Sequence, residues 1–224
     1  MQKERVADII QYALKSINCK RGLVRKTDLV SLWTDDTSIT SSLSYLIDKA
    51  SSDLKAYFGL SLVEIRTGVW AVKNEIDENS AENVDVSLDP AKLYPLKAKK
   101  RAINGLLFTV TSAIFMSPNH CLKQGKLREF LKELGVNLES PSSDTIFGEP
   151  VAKIINQFVA DGYIDKANVS QPDGNIEPVY SLGRRFLATA NMRQMLEFVC
   201  EQLGKHPRQF SEQQLLANPQ TEND

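Results

Sequence analysis

VADIIQYALKSI (Val6–Ile17) and INGLLFTVTSAI (Ile103–Ile114) decide the fold of this 224-residue chain. In the first stretch Val6, Ile9, Ile10, Ala13, Leu14 and Ile17 fall at i, i+3, i+4, i+7, i+8 and i+11. In the second, Ile103, Leu106, Leu107, Val110 and Ile114 fall at i, i+3, i+4, i+7 and i+11. Each is one apolar stripe of an amphipathic helix. The segments after the two stripes are also parallel. After the first come a turn with Gly22, a short helix carrying Leu29, Val30, Leu32 and Trp33, and a third helix carrying Leu43, Leu46, Ile47, Ala50 and Leu54. Gly59 suits the residue just past that helix. Two strand-like runs, Leu60–Ile65 and Val69–Val72, flank Arg66-Thr67-Gly68, which has hairpin-turn chemistry.

The second copy repeats the order. Leu127, Phe130, Leu131 and Leu134 mark its second helix, stopped by Gly135. Val151, Ile154, Ile155, Phe158 and Val159 mark its third, with Pro150 at the start and Gly162 past the end. Tyr163–Asp165 and Val179–Leu182 read as strands, joined by a looser loop containing Gln171-Pro172-Asp173-Gly174. Three helices and a hairpin, twice, is a mainly α fold with small β-hairpin wings: a tandem winged helix. The reading predicts a first module over 1–74, an acidic linker over 75–94, a second module with a C-terminal helix over 95–210, and a flexible tail over 211–224. The linker rests on Glu75, Asp77, Glu78, Glu82, Asp85 and Asp89, with no basic residue among them. Met192, Met195, Leu196, Val199 and Leu203 mark the last helix, and Pro207 stops it.

Composition narrows the function. Apolar residues at 42% and charged residues at 25% belong to an ordinary globular protein. The net charge of -1 excludes a chain that coats nucleic acid by overall charge, but not a local basic face. No apolar run reaches the roughly 18–20 residues of a membrane helix. MQKERVADII carries both signs of charge and no cleavage site, unlike a secretory signal. Cys19, Cys121 and Cys200 are odd in number and widely spaced, which suits free thiols in a reducing compartment.

Several local strings resemble the MAGE homology domain. They are LLFTVTSAIFMSPN (Leu106–Asn119), LKELGV (Leu131–Val136), IFGEP (Ile146–Pro150) and MLEFVCEQLGKHPRQF (Met195–Phe210). RKTDLVSLW (Arg25–Trp33) and ASSDLKAYFGLSLVEI (Ala50–Ile65) match more weakly. The resemblance spans roughly residues 5–210, and its most specific feature is FGEP placed after IFM with the helix order intact. It implies a tandem winged-helix protein that binds a RING-type ubiquitin-ligase subunit. Departures from the wording of the animal relatives point to the branch that serves as a non-SMC subunit of the Smc-five/six genome-maintenance complex. That branch pairs with a RING subunit and a kleisin, contacts double-stranded DNA, acts in DNA repair and recombination, and resides on chromatin in the nucleus.

Charge supplies a candidate DNA face. Lys97, Lys99, Lys100, Arg101, Lys123, Lys126, Arg128 and Lys132 fall in one stretch whose only acid is Glu129. With Arg184 and Arg185 after the second wing strand, they make one cationic face if the module folds as predicted. The DNA-binding candidates are Lys97, Lys99, Lys100, Arg101, Lys123, Lys126, Arg128, Arg184 and Arg185; the bland alternative is a solvated surface. Such a face holds phosphates and its affinity falls with salt. The predicted recognition helix, Glu149 to Asp161, has only Lys153 as a cation, with Asn156 and Gln157 beside it. This sign of charge favours contact without sequence specificity over a transcription regulator. KAKKR doubles as a weak nuclear-import signal.

The resemblance also implies two partner surfaces. Ile9, Ile10, Tyr12 and Leu14 of the first helix are candidates for docking the RING partner, with Tyr12 off the stripe. Phe115, Met116, Phe186, Leu187, Met195 and Phe198 are candidates for a kleisin groove. The same residues equally suit a plain core. Trp33 and Trp70 suit either a core or an interface anchor. Catalysis is unsupported: His120 and His206 are the only histidines, no set of ligands has zinc spacing, no nucleophile has a base and an orienting group, and no nucleotide-binding loop is present. The expectation is a non-enzyme without cofactor or metal. The rival expectation is a co-activator of a RING ubiquitin ligase whose DNA contact is incidental.

Overall fold

The computed structural model describes residues 2–19, 22–33, 43–75, 98–139, 146–170, 174 and 176–217. The chain separates into two compact units, Met1–Leu88 and Asp89–Asp224. The predicted linker lies almost wholly outside the described residues. Its first residue, Glu75, belongs to the first unit: its N–H donates to Gly59 O and its carboxylate accepts from Ser61 Oγ at 2.7 Å. That hydrogen bond is the main reason the carboxyl sits below its ordinary range.

In the first unit α1 (Gln2–Cys19) lays Val6, Ile9 and Ala13 against α3 (Leu43–Phe58), which answers with Leu43, Leu46, Ile47, Ala50 and Leu54. Between them lie β1 (Leu23–Arg25) and the short α2 (Lys26–Val30). The wing is β2 (Leu60–Arg66) and β3 (Val69–Asn74). The sheet order is β1-β3-β2, all antiparallel, with Leu23 opposite Ala71. The α2 helix ends earlier than its sequence suggests, leaving Leu32 and Trp33 beyond it. Trp33 instead ties the turn to α1: its indole N–H donates to Asp8 at 2.9 Å, and Arg5 lies over its ring at 6.0 Å. Trp33 and Trp70 are half-buried against the core, and both border an open groove of about 1160 Å³.

The second unit repeats this plan with a larger core. Its elements are α4 (Ala98–Met116), β4 (Cys121–Lys123), α5 (Gln124–Glu133), α6 (Val151–Ala160), β5 (Ile164–Ser170) and β6 (Ile176–Leu182). Then come α7 (Arg184–Thr189), α8 (Met192–Gln202) and α9 (Ser211–Ala217). The sheet order β4-β6-β5 matches the first unit. Each unit is therefore a winged helix: three helices closed by a three-stranded antiparallel sheet. The wing strands run longer than the apolar runs that announced them, because β5 exposes every residue after Ile164 and so shows no burial pattern in sequence. Residues 171–173 of the predicted hairpin loop lie outside the described residues.

Ser211–Ala217, read from sequence as flexible tail, is helical. Its buried Gln213 donates to Phe115 O at 3.3 Å, and Glu212 accepts from Asn119 N–H at 2.6 Å. The Gln213 contact caps the carboxyl end of α4, whose last carbonyls have no partner within the helix, and the Glu212 contact holds the turn after it. Residues 218–224 lie outside the described residues.

One corner fixes the wing against the helices. Gly183 leaves β6 and crosses the turn at Gly162. A Cβ on Gly183 would stand 2.3 Å from Gly162 O and 2.7 Å from Tyr163 C, both backbone atoms. Gly183 N–H donates to Tyr163 O at 2.9 Å, and Arg185 N–H donates to Gly162 O at 3.0 Å. The buried Arg185 guanidinium lies 4.3 Å over the Tyr163 ring and donates to Asp161 O at 3.4 Å. Two substitutions test this corner. Gly183→Ala must move backbone and is expected to cost about 2 kcal/mol or more, read as a lower denaturant midpoint with unchanged slope. Arg185→Ala removes a buried packed cation and is expected to destabilise by a similar ~2 kcal/mol; a melting temperature equal to wild type would contradict its structural role.

Candidate nucleic-acid and partner-docking surfaces

The cationic residues of the second unit come from several elements. Lys99, Lys100 and Arg101 stand exposed on the first turn of α4; Lys123 ends β4; Lys126 and Arg128 lie on α5; and Arg184 opens α7, also exposed. Lys97 lies outside the described residues. Arg185 is a correction: it is 5% exposed and faces the Tyr163 corner, so it is not available to a phosphate. Arg184 and Arg185 are adjacent on a helix and point about 100° apart, which leaves one out and one in.

The electrostatics differ from the sequence reading in a second way. The run of cations is met by carboxylates, two of them from distant segments. Lys99 Nζ lies 2.8 Å from Glu149 and Lys123 Nζ lies 3.8 Å from Glu177. Lys126 lies 2.8 Å from Glu129, and Arg128 lies 2.8 Å from Glu139. Glu149 also takes Lys153 at 3.0 Å. Hydrogen bonds from Lys99 and Lys153 hold its carboxyl down at about 2. The Lys126–Glu129 hydrogen bond raises the lysine and lowers the glutamate. Among the described residues Lys100, Arg101 and Arg184 have no carboxylate within ion-pair distance. Sequence readout by α6 gains no support: Lys153 is paired, and Gln157 donates to Asp161 at 2.8 Å.

The RING-docking candidates divide. Ile9 is fully buried in the first core and is withdrawn as a contact residue. Ile10 and Leu14 are half-buried at the edge of that core. Tyr12 is half-buried, and its hydroxyl donates to Asp28 at 2.6 Å, tying α1 to α2.

The kleisin candidates divide more sharply. Phe115, Phe186 and Met195 are core residues, at 0%, 6% and 3% exposed, and are withdrawn as groove residues. Met116 is half-buried. Leu187 and Phe198 are exposed. Phe198 meets a residue the sequence reading passed over: Phe108 of α4, edge-to-face with centroids 5.3 Å apart. Phe108 lies off the α4 stripe, the same signal that singled out Tyr12. Gly105, one turn earlier, has no atom within 4 Å of a built Cβ, so the helix surface beside Phe108 lies open.

Cys19 and Cys121 are exposed free thiols, whereas His120 and Cys200 are packed. His120 stacks on Phe115 at 5.6 Å, and its Nδ1 is 2.8 Å from Phe115 O. Cys200 is buried, which pushes its thiol up. No group of three or more His, Cys, Asp or Glu able to hold a metal occurs among the described residues, and no described helix is long and apolar enough to cross a membrane.

The family model of the MAGE homology domain matches residues 9–188, which takes in both winged helices. Among solved structures, the chain is similar to one described as "Nse1-Nse3-Nse4 complex", at 22% identity and a TM-score of 0.71, covering 95% of this chain and 95% of that one. A second, described as "Crystal structure of a conserved hypothetical protein from Chlorobium tepidum", is 16% identical over 84% of this chain and 98% of that one; its TM-score of 0.26 is too low to bear on the fold. The first likeness is one of fold, and with the matched residues spanning the helix-and-wing plan twice, the chain belongs to the MAGE homology-domain family.

Proposed function

We propose that this chain is a non-catalytic subunit of the Smc-five/six genome-maintenance complex. In this reading it binds a RING-type ubiquitin-ligase subunit and a kleisin and contacts double-stranded DNA without sequence specificity, in DNA repair on nuclear chromatin. The observation that carries it is the fold likeness to a chain of the Nse1-Nse3-Nse4 complex over 95% of both chains, in a member of the MAGE family. Lys100, Arg101 and Arg184 are the residues free to take phosphates, with Lys99, Lys123, Lys126 and Arg128 behind carboxylate partners. Tyr12, Ile10 and Leu14 form the surface left on α1 for the RING subunit. Leu187, Phe198 and Phe108 are the exposed apolar residues for the kleisin. An aromatic pair half in water is the kind of anchor that a docking helix covers.

A specific observation favours a second reading. Four of the cationic side chains are already ion-paired, so the field felt by a duplex is weaker than the sequence suggests. This fits a co-activator of a RING ubiquitin ligase whose DNA contact is incidental. Co-purification with a RING subunit and a kleisin fragment, then duplex binding at two salt concentrations, separates the two. Under the first reading Lys100→Glu with Arg101→Glu lowers duplex affinity about tenfold or more and flattens its salt dependence by ~2 in slope. Phe108→Ala or Phe198→Ala weakens kleisin capture by about 1–2 kcal/mol and leaves RING capture unchanged. Duplex binding indifferent to the double reversal, together with RING-dependent stimulation of ubiquitin transfer, would decide for the co-activator.

A further inference from the structure

The second unit surrounds its own cations with acids drawn from several elements. An exposed ion pair adds little to stability, because water already solvates both partners and two side chains lose freedom. Its larger consequence is on the field outside the protein: each carboxylate cancels a charge that a phosphate would otherwise meet. Glu149 and Glu177 are the least exposed of the set. Their side chains are 36% and 26% exposed, against 65% for both Glu129 and Glu139. Glu149 spans two cations, Lys99 at 2.8 Å and Lys153 at 3.0 Å, from two different helices. Glu177 reaches from β6 with one oxygen 3.8 Å from Lys123, while the other accepts Gly125 N–H at 3.2 Å in the first turn of α5.

We propose that Glu149 and Glu177 are built-in counter-charges that set the strength of the duplex contact by occupying cations that DNA phosphates would take. The inference rests on the DNA reading above and adds its regulation. In the free chain the duplex meets mainly Lys100, Arg101 and Arg184. A phosphate that reaches Lys99 or Lys123 meets a cation whose charge a neighbouring carboxylate already offsets, and that acid stands close to the DNA. Binding by the isolated chain is therefore weak and shallow in its salt dependence. The Glu149 bridge is persistent rather than pH-switched. A carboxyl lowered by its lysines keeps the bridge throughout the range above its ordinary value of 4.5, and loses it only as pH falls through about 2.

The test uses the full chain with Glu149→Gln, Glu177→Gln and the double variant. Gln retains an oxygen that can accept Gly125 N–H, and the separate single variants keep the test informative if the double one misfolds. Duplex binding is measured by fluorescence anisotropy on random-sequence DNA from about 50 to 200 mM salt. Double neutralisation is expected to raise affinity at the low-salt end about tenfold or more and to steepen the salt slope by about two, at roughly 0.9 per released cation. Glu201→Gln, at an exposed α8 position with no ion-pair partner among the described residues, adds one charge without uncovering a cation and is expected to do much less than either single variant. An equal gain from that control, or no gain from the double variant while Lys100→Glu/Arg101→Glu still weakens binding, would overturn the counter-charge role alone. Absence of duplex binding by every variant at low salt would remove the DNA reading itself. A carbon-13 titration of the Glu149 carboxyl is expected to show a midpoint near 2; a midpoint near 4.5 would mean that its lysines do not hold it.

Discussion

A strand of three residues closes each half of this protein. Leu23–Arg25 in the first unit and Cys121–Lys123 in the second come after the opening helix and hydrogen-bond to the inner strand of the wing. A two-stranded hairpin alone is marginal in water. The third strand puts the return strand of the wing in the middle of a sheet and anchors it to the helices on both sides. In the second unit that register sets the position of the turn before α5. Cys121 opposite Ser181, Leu122 opposite Tyr180 and Lys123 opposite Val179 bring the turn before α5 to the wing. They therefore bring Lys123 and Gly125 to Glu177.

That register, together with the packing of the first turn of α4 beside the FGEP turn, explains why charge in sequence and charge in space disagree. Read along the chain, the segment from Lys97 to Lys132 is nearly pure cation. Folded, its first turn lies beside the FGEP turn and its β4–α5 junction lies beside the wing. Acids 50 and 54 positions away, Glu149 and Glu177, arrive as partners. A local net charge is a statement about field only when the fold adds nothing to it.

The partner surfaces show the converse limit, one of geometry within a helix. A stripe that fills the core cannot also face a partner. Ile9, Phe115 and Met195 are buried with their stripes and are spent on packing. Among the candidates Leu187 and Phe198 reach solvent, and Phe198 meets the exposed Phe108, which lies off the α4 stripe. In an amphipathic helix of a small module, a residue out of phase with the core stripe is left nearer the surface than the stripe itself.

The sequence by itself determined the helices that carry the two cores, the order in which they come, the presence of a wing after each third helix, and membership of the MAGE family. These rest on periodicity, on turn residues and on local strings such as FGEP, all of which act over a few residues and so are legible without the fold. It did not announce β1 and β4, which are too short to show a period. Nor did it announce α9, whose polar surface looks like a tail until Gln213 is seen to cap α4 and Glu212 to hold the turn after it. Only tertiary structure decided which cations stay free, which apolar residues reach solvent, and that Arg185 packs on Tyr163 rather than facing outward. Those outcomes depend on pairings between residues tens of positions apart, and distance along the chain carries no information about such pairings until the backbone has closed.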